Sequence, residues 1–184
     1  MIGSDPSVPI EPFLKSLLSS LDLQLHHSGT ATQPRFQSVE DYATQFGRQL
    51  KSTSAIVVNG HPLAPQPPTN DARLEFQKKW LACPNSKHTL TSFDCHLIPG
   101  TGLYTILVNG KVSFDESGCS RLGVTADVPQ NPQMQPGRAI WGPGFGFCLA
   151  MVVDEAVAAS ANAQVINSFD YRLVYKPHDI LVEI

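Results

Sequence analysis

Nine consecutive positions constrain this chain more than any others: Phe145-Gly146-Phe147-Cys148-Leu149-Ala150-Met151-Val152-Val153. They follow the turn Trp141-Gly142-Pro143-Gly144 and read as a strand. Alternation puts Phe145, Phe147, Leu149, Met151 and Val153 on one side and Cys148, Ala150 and Val152 on the other, so neither side is made for water. Strands joined by short hairpins ordinarily bury one face and wet the other. An antiparallel strand with two apolar faces therefore needs cover on both. The chain's own helices supply one cover; the other is open to a second protein.

The chain of 184 residues, 42% hydrophobic and 16% charged, has the size and composition of one domain with a substantial core, expected to span 1–184. Thirteen Lys and Arg against sixteen Asp and Glu give a net charge of -3. The basic residues are scattered, which argues against a strong nucleic-acid surface on this chain alone. Cys83, Cys95, Cys119 and Cys148 lie twelve or more residues apart with no Cys-x-x-Cys pair, so reduced, mostly buried thiols are expected in place of a zinc site. The first residues, Met1-Ile2-Gly3-Ser4-Asp5-Pro6, lack a basic region followed by an apolar run, and no apolar segment has the length of a membrane span. The expectation is a soluble intracellular protein with no cofactor.

Ile10, Phe13, Leu14, Leu17, Leu18, Leu21 and Leu25 recur at helical spacing, with Pro12 suited only to a first turn. Ser38-Val39-Glu40-Asp41 offers a cap and early negative charge for a second helix lined by Tyr42, Phe46 and Leu50. Ala55 to Val58 is a short β run, and the prolines between His61 and Pro68 exclude helix and central strand. Asp71 then caps a third helix in which Ala72, Phe76, Trp80 and Cys83 share a face until Pro84. After Lys87 the period becomes two. Strands are expected at His88–Ile98, Leu103–Phe114, Phe145–Val153 and Val165–Tyr175. Helices followed by an antiparallel meander make an α+β protein. The Pro- and Gln-rich stretch at about 117–138 has no periodicity and reads as a long internal loop.

No nucleophile elbow, phosphate-cradling loop or His-Glu-x-x-His helix occurs. Gly142-x-Gly144-x-Gly146 enters a strand instead of leaving one for a helix, so no helix N-terminus is there to hold a phosphate. Asp94 with His96, and Asp170 with Arg172, alternate onto single strand faces, the minimum for proton transfer in a cupped sheet. They come without a nucleophile or metal cluster, so catalytic and metal residues are expected to be absent.

Several blocks in order carry a family likeness: His96-Leu97-Ile98-Pro99-Gly100-Thr101-Gly102, Val108-Asn109-Gly110-Lys111-Val112, Phe114-Asp115-Glu116-Ser117-Gly118, Trp141-Gly142-Pro143 with Phe145-Gly146, and Val174-Tyr175-Lys176-Pro177. Together they resemble the fungal mRNA transport regulators, small subunits of the heterodimeric general mRNA export receptor. The resemblance implies a nuclear transport factor 2-like fold, with N-terminal helices packed on a strongly bent antiparallel sheet forming a cone. It implies a non-enzymatic subunit that pairs with the larger export subunit through its sheet face and supports passage of mRNA through the nuclear pore. Phe-Gly nucleoporins would be bound directly or through the partner, and mRNA mostly through the partner, in a protein that shuttles between nucleus, pore and cytoplasm, with no membrane partner.

The aromatic and Met side chains place that partner surface at Phe145, Phe147, Met151, Phe169, Tyr171 and Tyr175, with Arg172 paired to a partner carboxylate. Met134 and Arg138 are candidates for a contact made by the long loop, whose basic residues, Arg121 and Arg138, stand at its ends. The alternative is an isomerase- or dehydratase-like enzyme or ligand-binding cup of the same fold, with Asp94, His96 and Tyr104 as acid and base inside the cone.

Overall fold

The helical spacing of the first segment is realised as α1, Ser7–Leu21, whose Ile10, Phe13, Leu14, Leu17 and Leu21 are fully buried. The structure, a computed structural model, describes residues 7–25, 36–118, 121 and 139–174. Pro12 lies deeper in α1 than the first turn and donates no bond toward Val8, at the exposed start of the helix. The second helix, α2, is short, Val39–Gln45, capped by Ser38 Oγ accepting from the Asp41 amide at 3.0 Å. It stops before Leu50 because Gly47 turns the chain at φ +63°, and Leu50 begins a strand instead of ending a helix. The third helix, α3 (Ala72–Leu81), is capped by Asp71 and buries Phe76 and Trp80.

Six strands follow in chain order: β1 (Leu50–Val58), β2 (His61–Pro62), β3 (Ser86–Ile98), β4 (Leu103–Phe114), β5 (Phe145–Asp154) and β6 (Ile166–Leu173). They form one curled, unclosed sheet in the order β2-β1-β6-β5-β4-β3. Strands β3 to β6 are the expected antiparallel meander. The sheet as a whole is mixed, however, because β1 runs parallel to β6. A parallel neighbour needs a long connection, and here everything from α3 to β5 provides it. At the register shift in β1, Ser54 Oγ donates to the Ile166 carbonyl at 2.7 Å and accepts from the Lys51 amide at 2.8 Å.

The helices cover one face of this sheet. Phe145, Phe147, Leu149, Met151 and Val153 of β5 are all 5% exposed or less on that side, and Ile106, Val108, Phe169 and Tyr171 join them. Phe147 stacks on Tyr171 with centroids 5.5 Å apart, and Tyr171 meets Trp80 edge-on at 5.9 Å. The result is the expected α+β arrangement, with aromatic rings filling the space between sheet and helices. Of the loop expected at about 117–138, only Ser117, Gly118 and Arg121 belong to the described residues.

Candidate functional site

The register determines what the other face of the sheet presents. On β5 it carries Gly146, Cys148, Ala150 and Val152, all half-buried. Across β4 their partners are Lys111, Asn109, Leu107 and Thr105; across β6, Cys148, Ala150 and Val152 face Arg172, Asp170 and Ser168. Asp94 and His96 of β3 stand beside Leu107 and Thr105, while Ala55 and Val57 of β1 stand beside Ser168 and Asp170. Leu107, 46% exposed, is the largest apolar side chain at the middle of this surface.

The surface therefore has an apolar centre, Leu107, Cys148, Ala150 and Val152, flanked by the pairs Asp94–His96 and Asp170–Arg172, with Val57 beyond Asp170 on β1. Asp94 and His96 meet at 3.0 Å. Arg172 donates to both oxygens of Asp170, Nε at 2.9 Å and Nη2 at 2.7 Å, and these bonds hold its pKa above the ordinary arginine value. Small apolar residues at the centre and polar groups around them are the anatomy of a protein interface. No helix of the chain packs on this side at β4 to β6 among the described residues.

The structure reverses the expected assignment of faces. Phe145, Phe147, Met151, Phe169 and Tyr171 point to the helices and are 5, 1, 1, 1 and 1% exposed, so they have no area left to offer a partner. Size explains the reversal: bulky rings fill the deep side of a bent sheet, and Gly, Ala, Cys and Val leave the other side flat enough for a second surface. Arg172 alone of these candidates lies on the open face. Tyr175, Met134 and Arg138 lie outside the described residues. Leu107, Ala150 and Val152 stand on the open face although they are small or flanked by larger neighbours in sequence. Their signal was present all the same, in the second apolar face of β5 and the run Ile106-Leu107-Val108.

The acid and base expected inside the cone do not converge. Asp94 and His96 are exposed on the open face, whereas Tyr104 pairs with Val153 on the helix side. A different polar group occupies the interior: His88, its side chain fully buried, lies with Nδ1 2.6 Å from Asp22 Oδ1 and Nε2 2.9 Å from the Tyr171 hydroxyl. Asp22 also accepts from the His88 amide at 2.7 Å and the Ser86 hydroxyl at 2.9 Å. Burial pushes the Tyr171 phenol pKa far up, and the Asp22 carboxylate adds to the effect. With Trp80 and Phe147 packed around it, this group is a hydrogen-bonded part of the core. Among the described residues no cluster of His, Cys, Asp and Glu has metal-binding geometry, and no helix is long and apolar enough to cross a membrane.

Comparison with known proteins bears on the same geometry. A family model described as nuclear pore RNA shuttling protein Mtr2 matches residues 4–184. The mRNA transport regulator MTR2 of Candida albicans is 46% identical over 187 residues, covering 100% of both chains. The Saccharomyces cerevisiae protein of the same name is 39% identical over 109 residues, 54% of this chain and 59% of that one. Among solved structures, the complex of Candida albicans Mtr2 with the Mex67 M domain matches at 50% identity and a TM-score of 0.81, covering 96% of this chain and 100% of that one.

Proposed function

Since the chain belongs to the family of the nuclear pore RNA shuttling protein Mtr2, we propose that it is the small, non-enzymatic subunit of a nuclear mRNA export receptor and that its open sheet face binds a larger subunit of the Mex67 type. The observation that carries this reading is the uncovered apolar centre at Leu107, Ala150 and Val152, continuous across β4 and β5 and flanked by the Asp94–His96 and Asp170–Arg172 pairs. The related chain of known structure, half identical to this one, is in complex with the Mex67 M domain.

In this reading the whole chain acts as one domain, and its work is mechanical. Burying the apolar centre fixes the partner's domain against a rigid sheet, and the pair carries mRNA through the nuclear pore by engaging Phe-Gly nucleoporins. RNA is held mostly through the partner, as the net charge of -3 favours. Arg172, already oriented by Asp170, is placed to meet a partner carboxylate, and the segment containing Met134 and Arg138 offers a further protein contact. The working location is the nucleus and its pores, with return to the cytoplasm.

The test is the affinity of the purified chain for a Mex67-type M domain, by titration calorimetry. Leu107→Glu and Ala150→Arg each place a charge at the centre of the contact and should weaken binding by about 100-fold or more. Phe147→Leu, a change on the helix side, should lower the melting temperature while leaving binding within about threefold. Undiminished affinity in both open-face variants would sink the assignment.

A further inference from the structure

A second site is built at the C-terminal end of α1, on the helix side of the sheet and away from the open face. Arg121, 2% exposed, enters it from 100 positions along the chain. Its Nη1 donates to the Leu21 carbonyl at 2.8 Å and the Leu23 carbonyl at 3.3 Å, and its Nη2 to Ser86 Oγ at 2.6 Å. The guanidinium carbon lies 5.1 Å from the centre of the Trp80 ring. Asp22 supplies negative charge one hydroxyl away, accepting from that same Ser86 Oγ at 2.9 Å.

Each of these elements selects for a planar cation. The last carbonyls of a helix have no intrahelical partner and carry the negative end of its dipole. An indole face attracts a cation, and only a guanidinium presents several donors in one plane to acceptors set side by side. An ammonium has the charge without the fork.

The slot is also complete without its occupant. The Leu21 carbonyl already accepts from Trp80 Nε1 at 3.0 Å, and the Leu23 carbonyl from the Tyr42 hydroxyl at 2.8 Å. Asp22 keeps the amide and ring of His88. The occupant is the less satisfied party: Arg121 Nε is buried with no acceptor, and among the described residues no carboxylate forms an ion pair with this guanidinium. A receptor whose own bonds are whole, holding a guest whose bonds are not, is balanced for exchange. We propose that this slot is a guanidinium-binding site preformed by the fold, filled in cis by Arg121, and able to take another alkylguanidinium, the side-chain group of arginine, when Arg121 is out.

The experiment uses the full chain with Arg121→Ala and methylguanidinium as the probe, against methylammonium at equal concentration and with the unmodified chain as control. The variant should melt a few degrees lower and recover by about 2–4 °C in saturating methylguanidinium, relative to the control. Equal responses to the two cations would overturn the proposal. A second measurement needs no variant: in the unmodified chain the Arg121 Nη groups, held by different acceptors, should give separate nitrogen resonances. If they average to one signal, as a freely rotating guanidinium does, the slot does not hold its guest and the proposal fails. The result is independent of the open-face reading, since no residue of the slot lies on that face.

Discussion

Gly110 stands where a side chain cannot: a Cβ there would lie 2.4 Å from both Phe147 Cε1 and the Thr89 carbonyl oxygen. The absence of a side chain on β4 is what lets the Phe147 ring lie against the sheet. Gly110→Ala should therefore destabilise the fold by about 1–3 kcal/mol, read as a lower melting temperature, and an unchanged value would mean that both the ring and the Thr89 carbonyl give way freely. Tyr171 has a different constraint. Its hydroxyl is the partner of the buried His88 Nε2, so Tyr171→Phe removes few atoms yet leaves a ring nitrogen unsatisfied, at a cost of about 1–3 kcal/mol by chemical denaturation. Asp154 responds to acid instead. Hydrogen bonds from Lys51 at 2.5 Å and Asn167 at 2.7 Å hold its carboxyl below the ordinary value of 3.8. A depressed folded pKa contributes stability fully above the unfolded value, and the contribution disappears as pH falls through the folded value. The melting-temperature difference between Asp154→Asn and the unmodified chain should be present near about pH 7 and vanish toward about pH 2. Both groups are about a third exposed, so the difference will be small.

Elements were legible to different degrees, for physical reasons. The strand expected at Leu103–Phe114 coincides with β4, and that at Phe145–Val153 differs from β5 by one residue, because strict alternation is a local signal. The apolar spacing predicts a second helix through Leu50, whereas α2 ends at Gln45. The apolar spacing continues there, but the left-handed turn at Gly47 overrides it. The parallel pairing of β1 with β6 has no local signature at all, since strand partners more than a hundred residues apart leave no mark on either one's periodicity. The direction of the aromatic faces is not legible in the sequence, because side-chain size indicates burial without saying what does the burying. At the β1–β6 seam, Ser54 is the device that restores pairing after the register shift. Ser54→Ala should cost about 1 kcal/mol and speed amide exchange of neighbouring β1 residues, with strands β3 to β5 unaffected.

Across the whole molecule, one face of the sheet is committed to the core, and the proposed function gives the other to recognition. On the open face Arg172 is ion-paired to Asp170 and Asp94 is hydrogen-bonded to His96, while Lys111 brings an opposite charge to that of Asp94, so the net field near the centre that could steer a partner is weak. Association should be driven by the apolar centre and respond weakly to salt. Calorimetric titrations between low and high ionic strength should shift the dissociation constant by less than about tenfold, and a much steeper dependence would point to unrecognised ionic contacts. The alternation along β5 also has a genetic consequence. If the open face binds the partner as proposed, a deep mutational scan should separate two phenotypes by parity, odd-numbered positions affecting protein abundance and even-numbered ones partnership. A one-codon insertion at the start of β5 would exchange the two requirements at every downstream codon of the strand, whereas an insertion of two codons would keep them in phase.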